Sequence, residues 1–187
     1  MSLESTLGNL KKIGALTPHT APVGEIKQHI DRAANLIGDA QKIQNTLDTR
    51  FAISYDAGHA LLMAAVKMNG YRPTNQHGHR QILYQILDEL LPGAANAKRA
   101  LSAAHNARNK AEYDGDDLDP TQGMVDNLIS AVVSVKEEVE FNFKKFIAKE
   151  SSKVGTVVAQ NTGIDQKSLR HATPTGKPRT KPPPLGH

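Results

Sequence analysis

The segment from His105 to Asp117, His-Asn-Ala-Arg-Asn-Lys-Ala-Glu-Tyr-Asp-Gly-Asp-Asp, places an imidazole, a guanidinium and a phenol among four carboxylates within thirteen residues. A guanidinium grips anionic oxygens in a planar fork, while an imidazole or a phenol can donate or move a proton. Arg108 also breaks the local pattern. Counted at 3.6 residues per turn, Ala97, Leu101, Ala104, Arg108 and Ala111 share one stripe of a helix, with His105 and Glu112 flanking it. An unpaired guanidinium on a buried face costs several kcal/mol, so Arg108 calls for a carboxylate, a partner subunit, a water-filled cleft or an anionic ligand. A structural salt bridge, with Glu112 at i+4 as the nearest acid, and a functional site are both open on this evidence.

Composition narrows the chemistry. The 187 residues include no Cys and no Trp, which removes disulfides, thiolate metal sites and cysteine nucleophiles and fits a cytoplasmic location. Neither a Walker glycine loop nor a Gly-x-Ser-x-Gly elbow is present. His77 and His79 stand two apart on a polar connection, but without a third ligand at a suitable spacing no metal is expected. No cofactor is expected either. No apolar run approaches the ~18 residues of a membrane span, and the first residues, Met1-Ser-Leu-Glu-Ser-Thr, do not read as a leader. Charge is unevenly placed: residues 153–187 hold six basic residues against one acid, whereas the first 152 hold 17 against 18. The last seventeen residues have one Leu and no aromatic, so a disordered basic tail with polyproline II character is expected from 151 to 187, a solubiliser or an electrostatic arm for nucleic acid.

The elements that must position Arg108 are helices. Leu3, Leu7, Leu10 and Ile13 mark a short helix in an N-terminal extension, residues 1–22. From Gly24 a core-facing pattern carries Ile26, Ile30, Ala33, Ala34, Ile37 and Ile43. A third helix runs from about Thr46 to Asn69 with Phe51, Tyr55, Leu62 and Val66 on its stripe, and His59 beside it reads as a core histidine. Gln81 to Leu91 reads as one helix, and after Pro92-Gly93 comes the helix of Arg108, ending near Tyr113-Asp114-Gly115. Asp119-Pro120-Thr121-Gln122 reads as N-cap, first-turn proline and capping-box glutamine for a last helix with Val125, Leu128, Val132, Val135, Val139, Phe143 and Phe146 inward. No segment shows strand alternation of comparable length. The expected fold is all-α, an antiparallel bundle of about five helices over residues 23–150.

Tyr55-Asp-Ala-Gly-His-Ala-Leu-Leu-Met-Ala-Ala65, then Gly70-Tyr-Arg-Pro73 and His77-Gly-His79, then Arg108-Asn-Lys-Ala-Glu-Tyr113, resemble in order and spacing the HEPN superfamily (higher eukaryote and prokaryote nucleotide-binding domains) over about residues 24–150. The resemblance implies a helical bundle, usually a homodimer, often a metal-independent ribonuclease in toxin–antitoxin, phage-defence or RNA-processing settings. Arg108 and Asn109 match the first two places of the family's motif. Tyr113 stands where the motif has histidine, and no histidine follows before His171. In active relatives the arginine and histidine of two protomers face each other across the dimer cleft and act on an RNA phosphate and its 2′-hydroxyl.

Three readings of the departure remain. Tyr113 works with Arg108, although a phenol of pKa ~10 is a poor base near neutrality. His105, at i−3 from Arg108, supplies the imidazole. Or the domain binds without cutting. Two functions are therefore carried forward: a dimeric ribonuclease using Arg108, Asn109 and Tyr113 with His105 or Glu112, paired with an antitoxin or nucleotidyltransferase, and a non-catalytic module that binds RNA, a nucleotide or a protein.

Overall fold

The computed structural model describes residues 2–74, 79–114 and 118–161; side chains at 79, 112–114 and 153–161 are outside that description. Helix α1 spans Leu3–Lys12, with the Ser2 hydroxyl accepting from Ser5 N at 3.3 Å. Glu4 in its first turn and Lys11 and Lys12 in its last complement the helix dipole. Leu7 is buried, but Ile13 lies beyond the last turn and is 71% exposed, so it does not extend the stripe as expected.

Two strands then appear that alternation did not predict. β1 (Leu16–Pro18) pairs antiparallel with β2 (Tyr71–Pro73), with Leu16 opposite Pro73 and Pro18 opposite Tyr71. Three residues are too few for a period of two to show, and the pairing depends on turns far apart in sequence. Gly14 (φ 74°) and Gly70 (φ 82°) take left-handed conformations that redirect the chain after α1 and after the third helix. Thr74 Oγ1 closes the ribbon by donating to Gly14 O at 2.8 Å. The ribbon joins the N-terminal residues to the bundle, and Leu7, Leu16 and Ala21 belong to the common core.

Helices α2 (Val23–Ala40) and α3 (Leu47–Met68) form an antiparallel hairpin. At one end Arg50 Nε donates to Ala40 O at 2.8 Å; at the other Lys67 Nζ donates to Glu25 Oε1 at 2.5 Å. Ile26, Ile30, Ala33 and Ile37 are buried as the spacing predicts, but α2 stops at Ala40 and leaves Ile43 86% exposed in the connection. Thr46 caps α3 by accepting from Thr49 N at 3.3 Å. The expected single helix over 81–91 is instead α4 (His79–Gln85) and α5 (Leu87–Leu90), broken at Ile86. Leu83, Tyr84, Ile86, Leu87, Leu90 and Leu91 are all buried, an arc too wide for one straight helix to turn toward one core.

A 3-10 turn at Pro92–Ala94 leads into α6 (Ala97–Asp114), and α7 spans Gln122–Asn161. The α7 cap is Thr121, whose Oγ1 accepts from Met124 N at 3.3 Å, rather than Asp119. Pro120 therefore precedes the cap, and the helix starts two residues later than the proline suggests. Val125, Leu128, Val132, Val135 and Val139 are buried, and Phe143 and Phe146 pack partly buried against the core. The fold is predominantly all-α, as expected, with seven α-helices among the described residues. The compact unit reaches residue 150, and α7 continues past it to Asn161, so residues 151–161, expected in the tail, are helical. The expected disorder of the tail beyond 161 lies outside the described residues. No described helix is long and apolar enough to cross a membrane.

Candidate functional site

Helices α3 and α6 approach closely because of Gly58: a Cβ there would lie 2.6 Å from Leu101 Cδ2 and 3.4 Å from Val132 Cγ2. This brings Tyr55 and Asp56 of α3 opposite His105, Arg108 and Asn109 of α6. The stripe through Arg108 leaves the core before it reaches the arginine. Ala97, Leu101 and Ala104 are buried, whereas the Arg108 side chain is 33% exposed, which corrects the expectation of a buried position. Arg108 Nη1 lies 3.3 Å from Asp56 Oδ1, and Arg80 Nη1, at the start of α4, lies 3.5 Å from the same oxygen. Both guanidiniums also stand over the Tyr55 ring, Arg108 Cζ at 5.0 Å from its centroid and Arg80 Cζ at 5.7 Å. Two cations thus share one half-exposed carboxylate and one aromatic face. Solvent at this exposure limits each pair to less than about 1 kcal/mol, so the cluster is a poor device for stability.

Behind it lies a buried polar layer. His105 Nδ1 is 2.9 Å from the Tyr55 hydroxyl and His105 Nε2 is 3.0 Å from Asn109 Nδ2. With Asn109 donating, the ring proton sits on Nδ1 and faces the Tyr55 oxygen. The ring stacks on Tyr55 at 6.1 Å, and Tyr84 lies against both rings. Burial, then the neighbouring Tyr55, pushes the Tyr84 phenol far above its usual range, and its hydroxyl has no hydrogen-bond partner among the described residues.

On the other side of Asp56 a hollow of about 250 Å³ opens between α2, α3 and α4, lined by His29, Arg32, Asp56, His59, Met63 and Arg80 with Ala60. At its α2 wall Lys67 Nζ donates to His29 Nε2 at 2.8 Å while it also holds Glu25. Burial, reinforced by the Lys67 charge, pulls the His29 imidazole below its ordinary range. Glu25 is held below the usual carboxylate range chiefly by the Lys67 hydrogen bond, with burial opposing and His19 assisting. No match is found among protein-family models, curated proteins or solved structures.

The residues anticipated from sequence are therefore brought together in part. Arg108, Asn109 and His105 meet around Tyr55, while the side chains of Glu112 and Tyr113 lie outside the described residues. His77 and the side chain of His79 do as well. Among the described residues no group of three or more His, Asp or Glu could hold a metal ion. Sequence reasoning missed Asp56, Arg80, His29 and Arg32, and gave His59 to the core although it lines the hollow. A signal existed: His29 with Arg32 and Asp56 with His59 are polar pairs at i, i+3 on two successive helices, so each pair shares one face. A larger hollow of about 570 Å³ between α6 and α7 is lined mainly by alanines, serines and apolar side chains, with Arg99 its one charged residue, and lacks groups for acid–base work.

Proposed function

We propose that this is a HEPN-like, RNA-directed protein that engages a backbone phosphate at Arg108 and Arg80. The observation that carries the reading is the convergence of these two guanidiniums on the single Asp56 carboxylate at 3.3 and 3.5 Å. Both guanidiniums stand at a partly exposed edge over the Tyr55 ring, an arrangement suited to meeting a phosphodiester. The chemistry is that of a metal-independent ribonuclease of toxin–antitoxin or phage-defence type. Arg108 stabilises charge on the phosphate, Asn109 orients His105, and Tyr113, at the foot of the same helix, is the acid–base group. The active form is a homodimer in the cytoplasm, held in check by an antitoxin or a nucleotidyltransferase.

The second reading, binding without cleavage, is favoured by one specific observation: both nitrogens of His105 are engaged by Tyr55 and Asn109 in a site only 7% exposed. Such an imidazole positions Tyr55 and is poorly placed to take a proton from substrate. Cleavage and binding of RNA in the presence of a chelator, measured with thermal melts, test both readings. Arg108→Ala is expected to lose RNA cleavage or binding at least tenfold while changing stability by less than about 1 kcal/mol. Loss of cleavage with retained binding in Tyr113→Phe supports the ribonuclease. Binding by the wild type without any cleavage selects the second reading, and a wild type that neither binds nor cuts RNA overturns both.

A further inference from the structure

The outer side of α7 carries a stripe that the core does not use. Opposite the buried Val132, Val135 and Val139, the residues Ser130, Ser134, Glu137, Phe141, Lys144 and Ala148 follow one another at alternating spacings of four and three. That is the repeat by which two helices pack along a shared seam. Phe141, at the middle of the stripe, is 53% exposed, and the Lys145 ammonium stands 3.9 Å from its ring centroid. Glu137 and Lys144 flank it along the helix, both exposed and both without an ion pair among the described residues. The neighbouring charges Lys136 and Glu140 are, by contrast, paired with each other at 2.8 Å. The stripe therefore has a sign: negative before Phe141 and positive after it.

We propose that this stripe is the surface on which two copies of the chain associate, α7 against α7, in antiparallel orientation. A parallel partner would set Glu137 on Glu137 and Lys144 on Lys144. An antiparallel partner, related by a two-fold axis through Phe141, sets each Glu137 against Lys144 of the second copy and stacks the two Phe141 rings. Ser134 then meets Ala148 of the second copy, and both are small enough to let the helices close. One aromatic anchor between two ion pairs makes a small contact, of the weak and reversible class that buries less than about 1,200 Å². A nucleic-acid strand fits the stripe less well, because the Glu137 carboxylate lies within it and repels phosphate. The surface goes beyond the RNA reading, which asks for a homodimer but names no surface for one, and it stands without that reading.

Analytical ultracentrifugation of the full chain over a range of concentrations tests the assignment, with a thermal melt of each variant. The wild type is expected to move from the monomer mass of 20.3 kDa toward twice that value, and to do so less readily as salt is raised. Phe141→Ser should abolish the association. Glu137→Lys and Lys144→Glu should each weaken it about tenfold, since each puts two like-charge contacts into the symmetric pair. Mixed with each other, these two variants should associate at least as tightly as the wild type, because one carries lysine and the other carboxylate at both places. Loss of structure cannot produce that recovery. A wild type that stays monomeric at every concentration, or single variants that fail to recover on mixing, overturns the surface. A dimer that persists in Phe141→Ser and Glu137→Lys overturns it too, and places the contact elsewhere on the chain. Weaker RNA binding by Phe141→Ser with no change in mass gives the stripe to nucleic acid instead. If the wild type neither binds nor cuts RNA yet shows the pattern of loss and recovery, only the RNA reading falls.

Discussion

Lys67 joins Glu25 to His29 and so ties the stability of the α2–α3 hairpin to pH. His29 has its folded pKa lowered from 6.5 by burial and by Lys67. Folding therefore favours its neutral form, the unfolded chain binds the extra proton, and stability falls as pH drops through 6.5 toward the lower folded value. Thermal melts between pH 8 and 5 should show this loss in the wild type and a flatter profile in His29→Gln. An identical profile in the variant would remove His29 from the account. Glu25 shifts the same way but later: its depressed pKa contributes stability above the carboxylate range that is lost only in stronger acid. Tyr84 gives a second expectation at this scale. Its buried hydroxyl has no hydrogen-bond partner among the described residues, and a buried unsatisfied hydroxyl costs about 1–3 kcal/mol. Tyr84→Phe, which keeps the ring against Tyr55 and His105, should be neutral or up to ~1 kcal/mol more stable in urea melts; a clear loss of stability would show that the hydroxyl is bonded after all.

Helices were legible where a single stripe faces a single core, as in α2, α3 and α7, because burial at a spacing of three and four residues leaves its mark in sequence. Boundaries set by hydrogen bonds were harder to read. Asp119, Pro120 and Thr121 offer two polar caps around one proline, and the outcome depends on which side chain reaches a free N–H. Thr121 does so, accepting from Met124 N at 3.3 Å. Thr121→Ala should therefore cost about 1 kcal/mol and Asp119→Ala only a few tenths, compared by denaturant midpoint. Equal losses would put the cap back on Asp119. The break at Ile86 was hidden for another reason: the run from Leu83 to Leu91 is apolar on too many sides for its period to say where it bends.

For the molecule as a whole, the charge asymmetry in sequence is the feature with an expected effect on binding. Residues 162–187 carry five basic residues and one acid, and removing them leaves all of α7 in place. If this segment meets RNA, deletion should flatten the plot of log affinity against log salt by roughly 0.7 for each single-strand phosphate that the tail no longer neutralises. An unchanged slope would make the segment a solubiliser. The all-α class and the core stripes of α2, α3 and α7 could be read from the residues alone, because helical periodicity is a local property, and the same count singled out Arg108 as a charge continuing an apolar stripe. It also showed that His105 and Asn109 stand within one turn of that arginine. The approach of Arg108 to Asp56 is set by packing. Asp56 lies 52 residues away, and its approach depends on Gly58 letting α3 and α6 close together. The same holds for Arg80 on Asp56 and for Lys67 on His29, pairings made by the hairpin and by a chain reversal at Gly70 that no residue pattern encodes. Local spacing tells which side chains share a face of one helix, and packing alone tells which faces meet.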